Sequence, residues 1–439
     1  MAIETYRPLP PLRLGLAGFG TVGGGLSRLL EENREELLAR CGREISIRAI
    51  LVRDPAKARP CPFPDGARIC TKPDDFAGDE EVDVLVELLG GVELPGRLIR
   101  AALEAGRPVV TANKALLAEA GDDLFRLAAH KGLHLGYEAG VCGSIPIIQA
   151  LREGLAANRH LTVSGILNGT SNYILSAMTN DGISFSQALK QAQELGFAEA
   201  DPALDIQGLD AAHKLALIIR LAWGVRYPFV ELPVEGIVGV TPEDIGFARE
   251  FGYSIKLLGY AALRELAAGE SRLEAGVFPA LVPDDYLLAK VDHAYNAVRI
   301  EGNAAGAIFL HGPGAGAMPT ASAVASDLLR IAGGGRPNNT GYIRPEPSRI
   351  AILPPQEAVS SYYIRLVVPD RPGVLRVVAG AMADHQISVA QVIQKGQKDM
   401  VVPLVIMTHD TTVRAVRAAL EQIRSCGILS ADPVFYRVM

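Results

Sequence analysis

The chain has 439 residues, of which 49% are hydrophobic and 21% charged, so its length allows about two to four domains with buried cores. The formal net charge of −6 argues against a nucleic-acid partner, because neutralising phosphates requires a basic surface. The five cysteines are widely spaced without a CxxC pair, which argues against a disulfide framework or a structural zinc site. No signal-peptide pattern and no apolar run of the ~18 residues needed for a membrane span occur, so we expect a cytoplasmic protein without a membrane partner.

Strand and helix patterns alternate over the first third of the chain. Strands are predicted at residues 12–17, 45–52, 82–89, 108–111 and 133–137, and helices at 22–39, 98–105 and 116–130. The run 82–89 is almost continuously apolar, which is typical of a strand buried on both faces of a parallel sheet. This order predicts a doubly wound α/β domain of the Rossmann type over residues 1–146.

The pattern changes after residue 146. Helices are predicted at residues 147–155, 185–195, 209–223, 241–251 and 321–332, a strand at 161–167, and short strands with turns over 230–310. Residues 147–310 therefore predict an α+β domain that holds a substrate.

The C-terminal region has its own pattern. Residues 333–358 are rich in Gly, Pro and Asn and predict a linker, which we place at 336–359. Strands are then predicted at 361–368, 387–395, 401–408 and 433–438, with helices at 373–384 and 413–425. This βαββαβ order is ferredoxin-like. We expect residues 360–439 to form a separable domain whose edge strands pair with a second copy.

A glycine motif follows the first predicted strand. Its residues are Gly18, Phe19, Gly20, Thr21, Val22 and Gly23, a GxGxxG pattern that opens a helix. The first glycine permits a tight turn, the second allows the backbone to approach a pyrophosphate, and the third allows close packing. The alternative is a flexible turn, but the strand and helix on either side favour a dinucleotide site.

The second predicted strand ends in Val52-Arg53-Asp54 instead of a lone acid. Arg53 could bind a 2′-phosphate through its planar guanidinium, which favours NADP(H), whereas Asp54 could bind the ribose of NAD(H). Arg53 could equally be a solvated turn residue. Both cofactors therefore stay open.

Asp210 and Lys214 are four residues apart on a predicted helix and share one face. A lysine whose pKa is lowered by burial can give or take a proton, and a carboxylate one turn away can orient it. The alternative is an exposed ion pair, which is common and weak.

Further motifs resemble the homoserine dehydrogenase family along nearly the whole chain. They lie at residues 18–23, 111–114, 138–146, 168–173, 196–202 and 208–214. The resemblance implies interconversion of L-aspartate 4-semialdehyde and L-homoserine with NAD(P)H, a step of threonine, methionine and isoleucine biosynthesis. No segment resembling an aspartate kinase precedes the chain, so we expect the monofunctional form.

The resemblance also implies roles for individual residues. It makes Lys214 the general acid–base and Asp210 its partner, and it places Lys114 at both cofactor and substrate. The remaining implied substrate residues are Gly169, Thr170, Glu199, which would hold the amino group, and Asp205. The remaining implied cofactor residues are Gly90, Thr111 and Gly316, the last within a segment at 311–335 that returns to complete the first domain.

Two regulatory or structural ligands are implied as well. Glu138 and the carbonyls of Val141, Gly143 and Ile145 resemble a sodium site, although the loop could be a plain turn. Residues 370–375 resemble the first turn of an ACT domain, which implies an amino-acid effector, threonine by analogy, or a purely dimerising module. The resemblance further implies a dimerisation role for residues 147–310 and a homodimer or homotetramer.

Two rival interpretations were weighed. One is another NAD(P)-dependent dehydrogenase that acts on an amino or hydroxy acid, and the other is a non-catalytic sensor of nucleotide and amino acid. The combination of Lys114, Asp210 and Lys214 argues against the sensor, because a sensor needs no proton donor.

Overall fold

The structure is a computed structural model that describes residues 9–59, 61–266, 269–343, 350–395 and 400–439. Its first unit contains β1 Leu12–Ala17, α1 Thr21–Glu32, α2 Arg34–Cys41, β2 Ile45–Leu51, β3 Arg68–Cys70, α3 Pro73–Ala77, β4 Val84–Glu87, α4 Glu93–Glu104, β5 Val109–Thr111, α5 Lys114–Ala120, α6 Asp122–Lys131 and β6 Leu135–Gly136.

Within the described residues, six strands of this unit form one parallel sheet in the order β3-β2-β1-β4-β5-β6. The order reverses between β1 and β4, and in doubly wound sheets ligands bind beyond the carboxyl ends of the strands at this point. The glycine motif follows β1 directly. The Rossmann-type prediction is confirmed.

The middle unit begins with a 3-10 turn at Glu138–Gly140 and ends with a long helix. Its elements are α7 Ile147–Gln149, a π-helical turn Ala150–Gly154, β7 His160–Ile166, α8 Gly169–Asp181, α9 Phe185–Glu194, α10 Ala203–Ile206, α11 Leu209–Trp223, α12 Pro242–Glu250, β8 Tyr253–Glu265, β9 Ser271–Pro283, β10 Tyr295–Gly302, β11 Gly306–Pro313 and α13 Ala317–Ala332.

Helix α11 decides the chemistry of the middle unit. It is apolar almost all round and is buried from Asp210 to Ile219, as expected for a helix inside a core. Helix α13 returns to the first unit, where the backbone carbonyl of Ala317 lies 2.6 Å from the place that a Cβ on Gly25 would occupy. This close approach of α13 and α1 explains why Gly25 has no side chain.

The C-terminal unit comprises β12 Ala351–Ile352, β13 Val359–Pro369, α14 Val374–Asp384, β14 Val389–Gln394, β15 Val401–Thr408, β16 Thr411–Thr412, α15 Val413–Ser425 and β17 Val434–Val438. The strand order β17-β13-β15-β14, with α14 against α15, confirms the ferredoxin-like prediction.

The C-terminal unit shares its sheet with the middle unit. β17 pairs in parallel with β9 through Arg437↔Ala280 and Val438↔Leu281. Within the described residues this joins eleven strands, along the path β11-β10-β7-β8-β9-β17-β13-β15-β14 with β12 and β16 at its sides. The expectation of a separable domain is therefore wrong in one respect: the β17 edge is closed by this chain and is not open to a second copy. Among the described strands of the C-terminal unit, β14 pairs only with β15 and leaves its other edge open.

The predicted linker is partly docked. Asn339 is buried, where its side-chain oxygen accepts from the backbone N–H of Leu135 at 2.9 Å and its carbonyl accepts from Tyr137 Oη at 2.9 Å. Tyr342 Oη donates to the carbonyl of Ala222 at 3.0 Å. Residues 344–349 of this segment lie outside the described residues.

Several predicted boundaries are corrected. The helix expected at 22–39 is two helices that meet at Asn33, and the helix expected at 116–130 breaks at Gly121. Strands β8 and β9 are long, not short, and α8 was not predicted. None of the helices in the described part of the chain combines the length and apolar character that crossing a membrane requires.

Candidate active site

The three glycines of the first loop have different surroundings. Gly18 has a φ of 104°, and a Cβ there would lie 2.9 Å from the carbonyl of Leu88. A Cβ on Gly23 would lie 2.6 Å from the carbonyl of Gly18, whereas no atom lies within 4 Å of a Cβ built on Gly20. No side chain caps α1 at Gly20, so the first N–H groups of the helix receive no side-chain acceptor there. A helix N-terminus of this kind is suited to binding an anion such as a phosphate.

The other residues of the loop divide between core and surface. Phe19 is buried with its ring 5.1 Å from that of Phe63, whereas Thr21 is exposed and Val22 half-buried. Arg53 is exposed, and within the residues that the structure describes it forms no ion pair. The Asp54 carboxylate accepts from the backbone N–H of Ala56 at 2.8 Å and so stabilises its own turn.

A buried carboxylate lies at the end of β4, the strand that pairs with β1. Glu87 ends β4, and it accepts from the Thr111 hydroxyl at 2.5 Å and from the backbone N–H of Leu89 at 2.7 Å. Burial raises the pKa of Glu87 to about 7. Thr111 is fully buried, so its hydroxyl serves this network. Asn113 Nδ2 donates to the carbonyl of Gly91 at 2.8 Å, which ties the loops after β4 and β5 together.

The two further predicted glycines differ in their surroundings. Gly90 has no atom within 4 Å of the place that a Cβ would occupy, so a ligand could approach its backbone closely. Gly316 precedes α13, the helix that packs on α1, and has a φ of 123°, which favours glycine. A Cβ on Gly316 would lie 3.4 Å from the ring of Pro319, so this position is not open.

Lys114, Asp210 and Lys214 meet where the first two units contact each other. Lys214 Nζ donates to Asp210 Oδ2 at 2.7 Å and to the carbonyl of Leu167 at 2.6 Å. Lys114 Nζ lies 3.2 Å from Asp210 Oδ1. Lys214 and Asp210 are both 8% exposed. The alternative of an exposed helix-surface pair is excluded by this burial.

The charge state of Lys214 differs from the expectation. Burial alone would lower the pKa of Lys214, but the Asp210 carboxylate outweighs burial and holds it above its usual value. Burial would likewise raise the pKa of Asp210, but Lys214 and then Lys114 hold it well below its usual range. The expectation that burial lowers the pKa of this lysine is therefore wrong, because the neighbouring carboxylate dominates and favours the ammonium form.

Asn168 extends the cluster to a second carboxylate. Its Nδ2 donates to Asp205 Oδ1 at 2.7 Å and to Asp210 Oδ2 at 2.8 Å. Its Oδ1 caps α8 by accepting from the backbone N–H of Ser171 at 2.7 Å. Burial raises the pKa of Asp205.

The remaining predicted substrate residues lie at the N-terminus of α8 and on the loop beside it. Gly169 begins α8, where a Cβ would lie 2.7 Å from the carbonyl of Ala294. The Thr170 hydroxyl donates to the carbonyl of Phe197 at 2.7 Å. Glu199 is exposed, and its carboxylate contacts none of the described residues. The structure therefore brings Asp205 into the cluster but leaves Glu199 outside it.

The predicted cation loop is buried. Glu138 is 2% exposed, and its two carboxylate oxygens accept from the backbone N–H groups of Ile148 and Gln149, each at 2.8 Å. Burial and the neighbouring carboxylate of Asp327 raise the pKa of Glu138 to about 7. Cys142 is buried with a φ of 58°, and burial raises the pKa of its thiol to about 11, so it is not a reactive group.

The backbone carbonyls of this loop differ in their hydrogen bonds. The carbonyl of Ile145 accepts from Ile147 at 2.7 Å. Among the hydrogen bonds of the described residues, the buried carbonyls of Val141 and Gly143 receive none. No group of three His, Cys, Asp or Glu side chains in the described ranges could hold a metal ion, so a cation here would depend on carbonyl oxygens.

The C-terminal unit has an open cleft at its first loop-to-helix turn. Its lining residues are Asp370, Arg371, Pro372, Gly373, Val374, Leu375 and Gln394. Gly373 has a φ of 96° and begins α14 without a side-chain cap. The sequence prediction placed a ligand at this turn.

Several site residues were not singled out from the sequence. Glu87 lies within the predicted apolar strand 82–89 together with a second acid, Asp83, so no distinct sequence signal marks it. Asn168 lies within a motif of the family but had no assigned role. His213 Nε2 contacts Glu119 Oε1 at 2.7 Å, which joins α11 to α5, the helix that carries Lys114. Asn296 Nδ2 donates to the same Leu167 carbonyl as Lys214, at 3.0 Å. These long-range contacts have no local sequence signal.

Comparison with known proteins identifies the chain. Residues 18–138 match the family model for the NAD-binding domain of homoserine dehydrogenase, residues 146–329 the model for homoserine dehydrogenase, and residues 362–427 that for the ACT domain. A homoserine dehydrogenase of Neisseria gonorrhoeae is 42% identical over 425 residues, which is 95% of this chain and 96% of the relative.

Solved structures agree. A homoserine dehydrogenase from Thiobacillus denitrificans superimposes with a TM-score of 0.91 at 41% identity over 98% of both chains. A mutant of a hyperthermophilic archaeal homoserine dehydrogenase, in complex with NADPH, has a TM-score of 0.61 at 26% identity and covers 73% of this chain and 97% of its own.

The NAD-binding fold and the buried lysine–carboxylate pair define an oxidoreductase that uses a nicotinamide cofactor. The chain belongs to the homoserine dehydrogenase family. Its function is that of a homoserine dehydrogenase, which interconverts L-aspartate 4-semialdehyde and L-homoserine.

Proposed function

We propose that Lys214 is the proton donor and acceptor of this reaction, with Asp210 as the residue that orients it. The observation that carries the proposal is the buried ion pair of the two side chains beside the crevice of the parallel sheet. A buried pair is desolvated and held in one geometry, unlike a surface pair, and this is what proton transfer at a defined atom requires.

The bound nicotinamide supplies or accepts the hydride. Lys214 has three N–H groups, of which two donate to Asp210 and to the carbonyl of Leu167. The third has no acceptor among the described residues and is available to the substrate oxygen. In the reduction direction the ammonium gives its proton to that oxygen as it gains charge from hydride transfer. In the oxidation direction the amine takes the proton back.

The substrate is proposed to lie between Lys114 and the N-terminus of α8. Lys114 follows β5 at the edge of the sheet where ligands bind, and its ion pair with Asp210 points it to the cluster. Gly169 and Thr170 present the first turn of α8. Asp205 and Glu199 are proposed to bind the amino group of the substrate. For Glu199 this requires movement of its loop, in which the carbonyl of Phe197 accepts from the Thr170 hydroxyl.

The cofactor is proposed to bind along the carboxyl ends of β1, β4 and β5. Residues 18–23 would hold the pyrophosphate, and Gly90, Thr111 and Gly316 would border the nicotinamide. For Thr111 this can involve only its backbone, since its hydroxyl is occupied. Exposure of Arg53 and self-capping of Asp54 favour NADP(H) over NAD(H), and the archaeal relative bound to NADPH is in line with this.

A monovalent cation, sodium, is proposed at the loop of Glu138, Val141, Gly143 and Ile145. Two buried carbonyls without a donor and a carboxylate with a raised pKa are the groups that a small cation would stabilise. The Ile145 carbonyl fits less well, because it already accepts a hydrogen bond.

An amino-acid effector, threonine by analogy, is proposed for the cleft at residues 370–375.

Placement of the enzyme in threonine, methionine and isoleucine biosynthesis rests on its reaction. A homodimer or homotetramer is proposed, supported by the open β14 edge with its exposed Val389 and Val392. The cytoplasmic location stays a prediction.

The central proposal is tested with Lys214→Ala. We expect homoserine-dependent NAD(P)H formation to fall by roughly 10²–10⁴-fold while cofactor affinity, measured by fluorescence titration, changes little. Lys190→Ala is the matched control, because Lys190 forms an i,i+4 pair with Glu194 on an exposed helix face. Near-normal turnover of Lys214→Ala would contradict the proposal that Lys214 is the proton donor and acceptor.

A further inference from the structure

Asn168 occupies an unusual position between two carboxylates. One N–H of its amide is donated to Asp205 and the other to Asp210, at 2.7 and 2.8 Å. Its oxygen caps α8 at Ser171. The side chain is 5% exposed, so its donors and its acceptor are all engaged inside the protein.

The amide performs two separable tasks. The cap on α8 requires only an oxygen at this position, and Asp serves as well as Asn in that role. The link between the carboxylates requires two N–H donors. Without them, the half-buried Asp205 and the buried Asp210 would face each other as like charges in a partly desolvated site, where repulsion is stronger than in water.

Asp210 Oδ2 receives Asn168 and Lys214 together. The Asn168 amide thus restrains the carboxylate that orients the lysine, and the lysine is restrained in turn. We propose that Asn168 is a positioning residue, whose amide holds Asp205 and Asp210 in fixed places beside the proton-transferring lysine. This inference rests on the proposed roles of Lys214 and Asp210.

The test uses Asn168→Asp, which keeps the volume and the helix cap but replaces the donor with a third carboxylate. At pH 8 we expect kcat to fall by about 10- to 100-fold, which corresponds to the loss of a hydrogen bond to a charged group. Thermal unfolding at pH 8 should occur at a lower temperature than in the wild type, because a third carboxylate is added at a buried position although the cap on α8 is kept. The value of kcat is therefore measured well below the unfolding temperature of the variant.

The pH profile of Asn168→Asp separates positioning from mere structure. The groups that face position 168 are Asp205 on α10 and Asp210 and Lys214 on α11, with Lys114 on α5 and the Cys142 thiol beyond them. A third carboxylate among these acids has a raised pKa, because neighbouring negative charges disfavour its ionised form. Once it has bound a proton, it again has one O–H to donate. We therefore expect the ratio of variant to wild-type kcat to rise as the pH falls from 8 to 5.5.

Two controls complete the test. Asn168→Ser keeps a capping oxygen but cannot titrate, so its loss should not depend on pH. Asn158→Asp introduces the same charge at a turn where the amide contacts backbone of residues 155, 304 and 305, and it should leave the profile unchanged.

A pH-independent loss of the same size in Asn168→Asp and Asn168→Ser, or no loss, would overturn the inference. If Lys214→Ala kept its turnover, the proposed function would fail whatever Asn168 does. If Lys214→Ala is inactive and Asn168→Asp shows no recovery at low pH, this inference fails alone.

Discussion

Two lysine–carboxylate pairs at i,i+4 spacing show how burial changes the chemistry of one sequence pattern. Lys190 and Glu194 are 78% and 64% exposed and lie 3.8 Å apart, whereas Lys214 and Asp210 are 10% and 11% exposed in their side chains at 2.7 Å. Water screens the first pair, so it contributes little. The second pair is desolvated, and its carboxylate keeps the lysine protonated.

We propose that a single residue, Arg53, sets the preference between the two cofactors. We expect Arg53→Ala to weaken NADP(H) by about 10- to 100-fold and NAD(H) hardly at all, because only NADP(H) carries the 2′-phosphate that a guanidinium can bind. The measurement is the KM for each cofactor in homoserine oxidation. Arg48→Ala removes the same charge from an exposed position of β2 and should leave both values unchanged. Equal losses for the two cofactors would make Arg53 a structural residue.

At the scale of elements, the proposed ligand sites lie at short turns before helices. The glycine turn after β1 precedes α1, the loop at residues 138–146 leads into α7, and Asn168 caps α8. Each turn presents backbone groups that the adjoining helix does not use. Two helices that are continuous in the sequence pattern are interrupted, one at Asn33 and the other at Gly121.

The loop at Glu138 predicts a link between sodium and pH. The folded protein holds the Glu138 proton more tightly than the unfolded chain, with a pKa of about 7 against an ordinary value of 4.5. Without a cation, stability therefore falls as the pH rises between these values. Sodium should offset the ionised carboxylate, so replacing choline chloride by sodium chloride should raise Tm more at pH 8 than at pH 6.

Two variants check the origin of this effect. Glu138→Gln should abolish the sodium response. Glu87→Gln is the matched control, because burial also raises the pKa of Glu87 to about 7, but its partners are Thr111 and Leu89 and not a loop of free carbonyls. Glu87→Gln should keep the sodium response. A response that survives in Glu138→Gln would place the cation elsewhere.

On the scale of the whole molecule, the C-terminal unit is anchored to α12. The buried Asp244 carboxylate receives Arg365 through Nε at 2.6 Å and Nη2 at 3.1 Å, and the Tyr363 hydroxyl at 3.0 Å. Asp244 is fully buried and also closes the capping box of α12 with Thr241. Asp244 belongs to the middle unit, whereas Arg365 and Tyr363 lie on β13 of the C-terminal unit. The two units therefore share this buried polar cluster.

Breaking this anchor should be costly. We expect Arg365→Met to lower the free energy of unfolding by about 3–5 kcal/mol, since it leaves a buried carboxylate without its guanidinium. Urea denaturation measures the change. Lys395→Met breaks the exposed pair with Glu250 across the same contact and should cost under about 1 kcal/mol. Equal effects of the two substitutions would show that burial of Asp244 is unimportant.

The same anchor bears on removal of the C-terminal unit. Deleting residues 360–439 would remove β17 from β9 and expose Asp244. We therefore expect the remaining chain to be less stable than a freely separable C-terminal domain would leave it. The effector proposal is better tested in the full chain, by substitutions in the cleft at residues 370–375.

Features that depend on local pattern could be predicted from the amino-acid sequence alone. Apolar periodicity located α11 and α15 to the residue, the βαββαβ order predicted the C-terminal unit, and the GxGxxG spacing predicted the turn after β1. These features follow from neighbours within a few residues, which is why they can be read along the chain.

Only the tertiary structure decided the remainder. Whether Asp210 and Lys214 are buried depends on β8, β9 and α5 packing around α11, and Lys114, Asn168 and the Leu167 carbonyl converge on the pair from distant segments. The pKa of the lysine is raised because the Asp210 carboxylate outweighs burial. The joining of β17 to β9 likewise has no local signal, since any edge strand offers the same backbone groups. Burial and long-range pairing are properties of the folded arrangement. They determine the pKa values of the active-site residues and join the C-terminal unit to the sheet of the middle unit.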